Sequence, residues 1–197
     1  MLTGDFVFDP GNLVVAGFVA YFLTELVATR RRNHRTETEA TSDGGSLVVI
    51  LVALVGALGV AIVARRFVPM LALPGSELAW GLSGAAICVG GMALRASAIR
   101  TLGQAYSTVV TIQPGQEVVT HGPYQLVRHP AYSGLLLMLA GAGVSWANAG
   151  ALLAGVAVPL PALLYRIRVE EPVLLGALGE KYQAYSRRKK RLIPGIW

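Results

Sequence analysis

The chain has 197 residues, of which 54% are hydrophobic and only 14% are charged, and its mean hydropathy is +0.56. A soluble domain carries about 25% charged residues, so the composition argues against a soluble globule and excludes disorder over most of the length. It favours one polytopic membrane domain over residues 1–197. A single cysteine, Cys88, excludes an intrachain disulfide framework and a cysteine-rich metal site.

The first three predicted membrane spans cover residues 13–29, 47–64 and 78–94. A spanning helix needs about 20 mainly apolar residues, with roughly 17 to 25 as the accepted range. The second segment contains no polar side chain, and the third contains one serine. The first segment is less uniform, because it contains Thr24 and Glu25.

Residues 131–165 form a run of 35 positions without a charge. This run is too long for one helix that rises 1.5 Å per residue across about 30 Å of hydrocarbon. Ser145 and Asn148 fall near its midpoint, where a tight turn is favoured. We therefore predict a helical hairpin of spans 131–147 and 149–165, which brings the predicted total to five spans.

Positive charge predicts the orientation of these spans. Of the 17 Lys and Arg residues, 15 fall on one side, and only Arg65 and Arg66 fall on the other. The positive-inside rule then predicts an external N-terminus and a cytoplasmic C-terminus. The polar segments 95–130 and 166–197 would both be cytoplasmic.

The net charge of +6 is explained by the same arrangement, because the basic residues flank the spans. In a soluble protein this charge would suggest nucleic acid, but here the bilayer is the expected partner and no nucleic acid is expected. Arg outnumbers Lys by 14 to 3, and Ala and Gly are abundant. This composition points to a GC-rich bacterial genome, and hence to a bacterial plasma membrane.

The start of the fourth span has a distinctive sequence, HGPYQLVRHPAYSG, at residues 121–134. Pro130 suits the first turn of a helix, where its missing N–H costs nothing. The free N–H groups at a helix N-terminus favour an anion, and Arg128 and His129 stand beside them. Arg and Tyr are also common as plain membrane-surface anchors, so the residues leave an anion site and an anchor both open.

In the tail, Arg166 and Glu170 are spaced i, i+4, so they share a face if the last span continues as a helix. Glu170 and Glu171 are adjacent carboxylates close to the bilayer, where a charge is costly unless it is paired or solvated. A plain salt bridge on a solvated face is the alternative. Gly179 is expected to break the helix, and the basic run 187–191 could attract anionic lipid.

Several common chemical signatures are absent from the sequence. The chain has no P-loop, no HExxH zinc motif and no complete GxGxxG, which excludes a soluble Rossmann-type enzyme. The three histidines, His34, His121 and His129, are too dispersed to predict a metal site.

Two separated motifs together resemble the isoprenylcysteine carboxyl methyltransferase family, which is related to integral-membrane phospholipid methyltransferases. They are GPYQLVRHPAYSG and, about 30 residues later, RIRVEEPVLLGALGEKYQAYSRRKKRLIPGI. The likeness covers roughly residues 103–196, with the predicted hairpin between the motifs. It implies an all-α membrane enzyme that uses S-adenosyl-L-methionine without a Rossmann fold. The cofactor pocket would be cytoplasmic and formed by segment 95–130 and the helical tail.

The resemblance also implies roles for particular residues. Arg166 would be a catalytic and substrate-binding residue, and Glu170 would contact the cofactor. Thr111 is assigned to the cofactor as well, although its spacing is one residue short of the family pattern. The other residues assigned to the cofactor are Gln116, Glu117, Val118, Val119, Tyr124, Arg128, His129, Pro130, Ala131 and Tyr132.

The chemistry of the acceptor decides whether a base is needed. A carboxylate acceptor is already ionised at pH 7, so Arg166 would only have to hold and orient it. A primary amine must lose a proton before attack, and Glu171 and His129 are then the candidate catalytic bases. An ammonium would also be repelled by Arg166, which favours the carboxylate.

We therefore predict a methyltransferase that acts on the carboxylate of a lipophilic, isoprenylcysteine-like acceptor. The alternatives are N-methylation of a phospholipid amine, S-methylation of a small thiol, and a non-enzymatic membrane protein. The sequence does not identify the acceptor, the entry gate for it or the oligomeric state.

Overall fold

The computed structural model describes residues 9–33, 45–107, 112 and 115–197. Within these ranges the chain is helical and contains no β-strand longer than an isolated bridge, which confirms the predicted all-α class. The α-helices are α1 Pro10–Asn33, α2 Ser46–Phe67, α3 Glu77–Leu102, α4 Pro130–Ser145, α5 Ala149–Ala157 and α6 Pro159–Arg188. Short 3-10 turns occupy Pro69–Leu71, Gly103–Ala105 and Gly122–Gln125.

Four helical stretches in the described part of the chain are long and apolar enough to cross a membrane: Pro10–Ala28, Ser46–Phe67, Glu77–Ala105 and Ala149–Arg188. These spans make the chain an integral, multi-pass membrane protein. The predicted span 131–147 corresponds to α4, which has only 16 residues. At 1.5 Å per residue, α4 is about 24 Å long and falls short of a typical hydrocarbon core. The predicted count of five spans is therefore not confirmed.

Helices α3 and α4 pack with their backbones in contact. A Cβ atom added to Gly84 would lie 2.5 Å from the carbonyl oxygen of Gly141, and one added to Gly91 would lie 2.7 Å from that of Gly134. Small residues at these positions allow this close approach of the two backbones. Gly90 has no atom within 4 Å of such a Cβ and takes no part in this contact.

The predicted hairpin between the fourth and fifth spans is present. The chain turns at residues 146–148, where Ala147 has a φ of 48° in the left-handed region. Asn148 begins the next helix as its N-cap, because its side-chain oxygen accepts a hydrogen bond from Ala151 N at 2.9 Å.

The second arm of the hairpin differs from the prediction. Span 149–165 was expected as one helix, but α5 ends at Ala157 and α6 begins at Pro159. Pro159 and Pro161 have no N–H to donate to the preceding turn, so the helical hydrogen bonding is interrupted there. Helix α6 then continues well beyond residue 165, and its last residue is Arg188.

The tail folds back against the beginning of α4. Gly179 has a φ of 56° within α6 and makes the predicted break. After α6, Arg128 N donates a hydrogen bond to Lys190 O at 2.7 Å, and His129 N donates one to Arg191 O at 3.0 Å. The two motifs of the sequence therefore lie side by side.

Candidate active site

A cavity of about 150 Å³ lies where α1, α2, α3, the beginning of α4 and α6 meet. Most of the residues that the sequence singled out line it, although they come from three separate segments. The predicted residues in its wall are Gln116, Glu117, Val118, Val119, Tyr124, Arg128, His129, Ala131, Tyr132, Arg166 and Glu170.

Two of the predicted residues that the structure describes are not in this wall. Pro130 is buried in the first turn of α4, and it does not line the cavity. Glu171 is directed toward a group of cations beside the cavity. Thr111 lies outside the described residues.

Tyr132 links the two charged residues of the RxxxE spacing. Its hydroxyl donates to Glu170 Oε2 at 2.8 Å and accepts from Arg166 Nε at 3.3 Å. Arg166 Nη1 also donates to Ser46 Oγ at 2.7 Å, and the arginine is only 3% exposed. Buried charges need such partners, because water no longer solvates them. The spacing correctly predicts that Arg166 and Glu170 face the same side of α6.

Glu171 is surrounded by three basic side chains. Its carboxylate lies 3.0 Å from Arg128 Nη2, 2.8 Å from Arg191 Nη2 and 3.3 Å from His129 Nε2. Burial raises the pKa of Glu171, but the hydrogen bonds from His129 and Arg191 and the charge of Arg128 outweigh it and lower the pKa to about 2. The carboxylate is therefore ionised at neutral pH and is a weak proton acceptor.

An aromatic and aliphatic cluster forms the opposite wall. Tyr124, Tyr182 and Tyr185 are buried there beside the irregular segment 116–120. Tyr185 Oη donates to Tyr124 O at 2.8 Å. Aliphatic side chains packed against this cluster include Val118, Val119, Leu174 and Leu178.

Two buried polar atoms of the site are unsatisfied. Tyr182 Oη and Arg128 Nε have no hydrogen-bond partner among the described residues, and both side chains line the cavity. Burial raises the pKa of Tyr182, so its hydroxyl remains protonated and able to donate. Unsatisfied buried donors in a cavity are typical of a site that a polar ligand completes.

The sequence reasoning missed a further charged group in the wall, formed by Glu25, Arg95 and Tyr106. Arg95 Nε donates to Glu25 Oε2 at 2.7 Å. The signal was available, because an ionisable residue within a predicted span is a functional-site candidate by default. The partner was not predictable, since 70 residues separate it from Glu25.

A second, apolar cavity of about 280 Å³ adjoins the first. It lies between α1, α2, α4 and α5, and its wall includes Phe18, Leu54 and Trp146. The two cavities share the side chains of Phe22, Leu26 and Leu51. A polar cavity thus lies beside an apolar one, and these three side chains belong to both walls.

Comparison with known proteins shows which family the chain resembles. The model of the isoprenylcysteine carboxyl methyltransferase family matches residues 84–176. Protein-S-isoprenylcysteine O-methyltransferase B of Arabidopsis thaliana is 32% identical over 127 residues, which are 62% of this chain and 64% of that protein. Over these residues the chain is similar to the isoprenylcysteine carboxyl methyltransferase family.

Another relative and a solved structure show the same likeness. Protein-S-isoprenylcysteine O-methyltransferase A of Arabidopsis thaliana is 30% identical over 131 residues, which are 64% of this chain and 66% of that protein. The chain thus spans just under two thirds of the length of these relatives. A solved eukaryotic intramembrane Ras methyltransferase of the family has a TM-score of 0.65 and 22% identity, and the match covers 96% of this chain and 69% of that one. At this identity the likeness shows a shared fold.

The family match does not reach every part of the cavity. Residues 84–176 include the beginning of α4 together with Arg166 and Glu170, but they exclude α1, α2 and the end of α6. Glu25 and Tyr182 therefore line the cavity from outside the matched range.

Proposed function

We propose that the protein is an S-adenosylmethionine-dependent methyltransferase that esterifies the carboxylate of a lipophilic, isoprenylcysteine-like acceptor. One observation carries this proposal: Arg166 and Glu170 meet at Tyr132 in a polar cavity that adjoins an apolar one. The plant relatives are named protein-S-isoprenylcysteine O-methyltransferases, which supports the same reaction class.

The donor set of the cavity suits the cofactor. S-adenosylmethionine, when bound, supplies a methyl group on a positively charged sulfur. Glu170 can accept hydrogen bonds from an ammonium or from ribose hydroxyls. The unsatisfied Tyr182 Oη and Arg128 Nε can donate to polar groups of the ligand, and the backbone of 116–119 can bond an adenine edge.

Arg166 is the proposed partner of the acceptor carboxylate. Its guanidinium is buried and held by Ser46 and Tyr132, so its direction is fixed before an acceptor arrives. Methyl transfer from a sulfonium is an in-line displacement, and alignment of the reacting groups supplies much of the rate. An ionised carboxylate needs no base for this reaction.

The apolar cavity suits the lipid portion of the acceptor. Phe22, Leu26 and Leu51 stand at the junction, so a chain that lies among α1, α2, α4 and α5 can deliver its polar end to Arg166. Burial of each CH₂ group contributes about 0.8 kcal/mol, which favours a long prenyl group over a short one.

The surroundings of Glu171 favour a carboxylate over an amine acceptor. An amine requires a proton acceptor, and a carboxylate with a pKa of about 2 is poorly suited to that role. We propose that Glu171 instead anchors the tail through Arg191 and steadies His129. The alternatives are N-methylation of a phospholipid amine and S-methylation of a small thiol. Analysis of the methylated product distinguishes them from a carboxyl ester.

Topology forms part of the proposal. We propose five membrane crossings with an external N-terminus and a cytoplasmic cavity, because this arrangement places 15 of the 17 Lys and Arg residues on the cytoplasmic side. The relatives named above are plant proteins, and a bacterial plasma membrane remains a prediction from composition.

The cofactor part of the proposal is tested by titration calorimetry with S-adenosylhomocysteine on protein in lipid nanodiscs. We expect saturable binding with a stoichiometry of one per chain. Absence of heat from folded protein would reject the proposed cofactor, irrespective of which acceptor is used.

A further inference from the structure

Glu25 of α1 and Arg95 of α3 form a buried ion pair in the wall of the cavity. Arg95 Nε donates to Glu25 Oε2 at 2.7 Å, and Nη2 donates to Oε1 at 2.5 Å. The two side chains are only 9% and 7% exposed. Desolvation offsets much of the attraction in such a pair, so net stability alone is a weak explanation for it.

Arg95 makes a third contact, which reaches the beginning of α4. Its Nη1 donates to Ala131 O at 2.9 Å, within a fully buried environment. Ala131 directly precedes Tyr132, whose hydroxyl contacts both Glu170 and Arg166. The ion pair is thus one hydrogen bond and one residue away from the centre of the proposed active site.

Tyr106 completes the group. Its hydroxyl accepts from Arg95 Nη2 at 3.2 Å and donates to Glu25 Oε1 at 3.1 Å. The hydrogen bonds donated by the Arg95 guanidinium therefore reach three other segments. The acceptors are Glu25 on α1, Tyr106 after the 3-10 turn Gly103–Ala105, and Ala131 on α4. A planar guanidinium can satisfy three such directions at once, whereas a lysine ammonium cannot reproduce its fork.

We propose that Glu25 and Arg95 are positioning residues for the active site. Glu25 fixes the plane of the guanidinium, the guanidinium holds Ala131 O, and this contact sets Tyr132 between Arg166 and Glu170. The catalytic consequence rests on the proposed function. The assignment gives α1, which lies outside the matched residues 84–176, a part in shaping the site.

If the ion pair served only to stabilise the fold, exchanging its two charges should have a different effect from the one expected for a positioning role. In the double variant Glu25→Arg/Arg95→Glu the two charges can pair again, so a structural pair would be restored. Glutamate at position 95 has no donor for Ala131 O, so the positioning contact would not be restored. The single variants Glu25→Gln and Arg95→Lys each weaken the ion pair. They allow the positioning role to be tested even if the charge-exchanged variant does not fold.

The chain offers a matched control in Asp9 and Arg65. This ion pair also joins two segments, since Asp9 directly precedes α1 and Arg65 lies on α2. Neither residue lines the first cavity. Asp9→Asn removes an interhelical charge pair while leaving the proposed site intact.

The first measurement is hydrogen exchange of the peptide that covers residues 130–136. We expect Arg95→Lys, Glu25→Gln and the exchanged variant to raise exchange there at least fivefold, with no change in Asp9→Asn. This readout requires no cofactor, so it judges the positioning contact even if the proposed function is wrong. Wild-type protection in Arg95→Lys and in the exchanged variant would overturn the inference.

The second measurement is the affinity for S-adenosylhomocysteine, taken together with the melting temperature. We expect the exchanged variant to recover thermal stability relative to Glu25→Gln while its affinity stays at least tenfold below wild type. Recovery of affinity together with stability would show that the pair is only a structural link between α1 and α3. If wild-type protein did not bind S-adenosylhomocysteine, the proposed function would be rejected. The hydrogen-exchange measurement would then still decide whether Glu25 and Arg95 position the beginning of α4.

Discussion

Arg166 and Glu170 lie one turn apart on α6 and both hydrogen bond the hydroxyl of Tyr132 on α4. A buried cation and a carboxylate are thereby held in fixed positions by one tyrosine, on a helix that begins within the apolar core and ends in the tail. In the proposed function, Arg166 binds an anionic acceptor and Glu170 binds a cationic or hydroxylated part of the cofactor.

Glu170→Gln is expected to weaken S-adenosylhomocysteine binding. A hydrogen bond to a charged group contributes about 1.5–3 kcal/mol, so the affinity should fall by roughly 10- to 100-fold. Titration calorimetry measures this change, with the exposed Glu180→Gln on the same helix as the control. Equal affinity of wild type and Glu170→Gln would remove Glu170 from the cofactor site.

Arg166→Ala is expected to abolish turnover of a carboxylate acceptor and to leave cofactor affinity within about threefold of wild type. Loss of a charge-assisted contact to the acceptor explains the first effect. The second follows because the proposal assigns Arg166 a contact with the acceptor and none with the cofactor. Steady-state kinetics with a prenylated cysteine, compared with the exposed Arg168→Ala, provide the measurement. Substantial remaining turnover would contradict a role for Arg166 in carboxylate binding.

Tyr182→Phe separates ligand binding from folding. The Tyr182 hydroxyl is buried without a partner among the described residues, so its removal should leave the melting temperature unchanged or raise it. If the hydroxyl donates to the cofactor, S-adenosylhomocysteine affinity should fall about fivefold or more. Tyr185→Phe is the contrasting variant, because Tyr185 Oη bonds Tyr124 O and its loss should lower the melting temperature.

Glu171 should make the stability of the protein depend on pH. Its pKa is lowered from 4.5 to about 2 in the folded protein, so its stabilising effect is fully present above pH 4.5 and disappears as the pH falls toward 2. Glu171→Gln should therefore melt below wild type at pH 7, and the difference should shrink between about pH 4.5 and 2. Thermal ramps in detergent measure it, and a difference that stays constant with pH would contradict the ion-pair account.

Much of the architecture follows from local properties of the sequence. The apolar runs predict α1, α2 and α3, and the turn residue Asn148 predicts the hairpin, since it caps α5 in the structure. The i, i+4 spacing predicts the common face of Arg166 and Glu170. These are properties of a single helix or turn, which depend little on the rest of the chain.

The remainder depends on contacts between distant segments. The pairing of Glu25 with Arg95 requires α1 to pack beside α3, and the cations around Glu171 include Arg191, which reaches it only because the tail folds back on α4. The length of α6 beyond residue 165 also depends on such contacts, because its later part packs against the beginning of α4. Periodicity along one segment carries no information about such partners.

The most direct test of the central claim is transfer of a labelled methyl group from S-adenosylmethionine to an S-prenylated N-acetylcysteine by protein in lipid nanodiscs. A carboxyl methyl ester releases its label as volatile methanol in base, whereas N-methyl and S-methyl products retain it. The account predicts base-labile label that depends on both Arg166 and Glu170. Absence of transfer by protein that binds the cofactor, or label stable to base, would contradict a carboxylate acceptor.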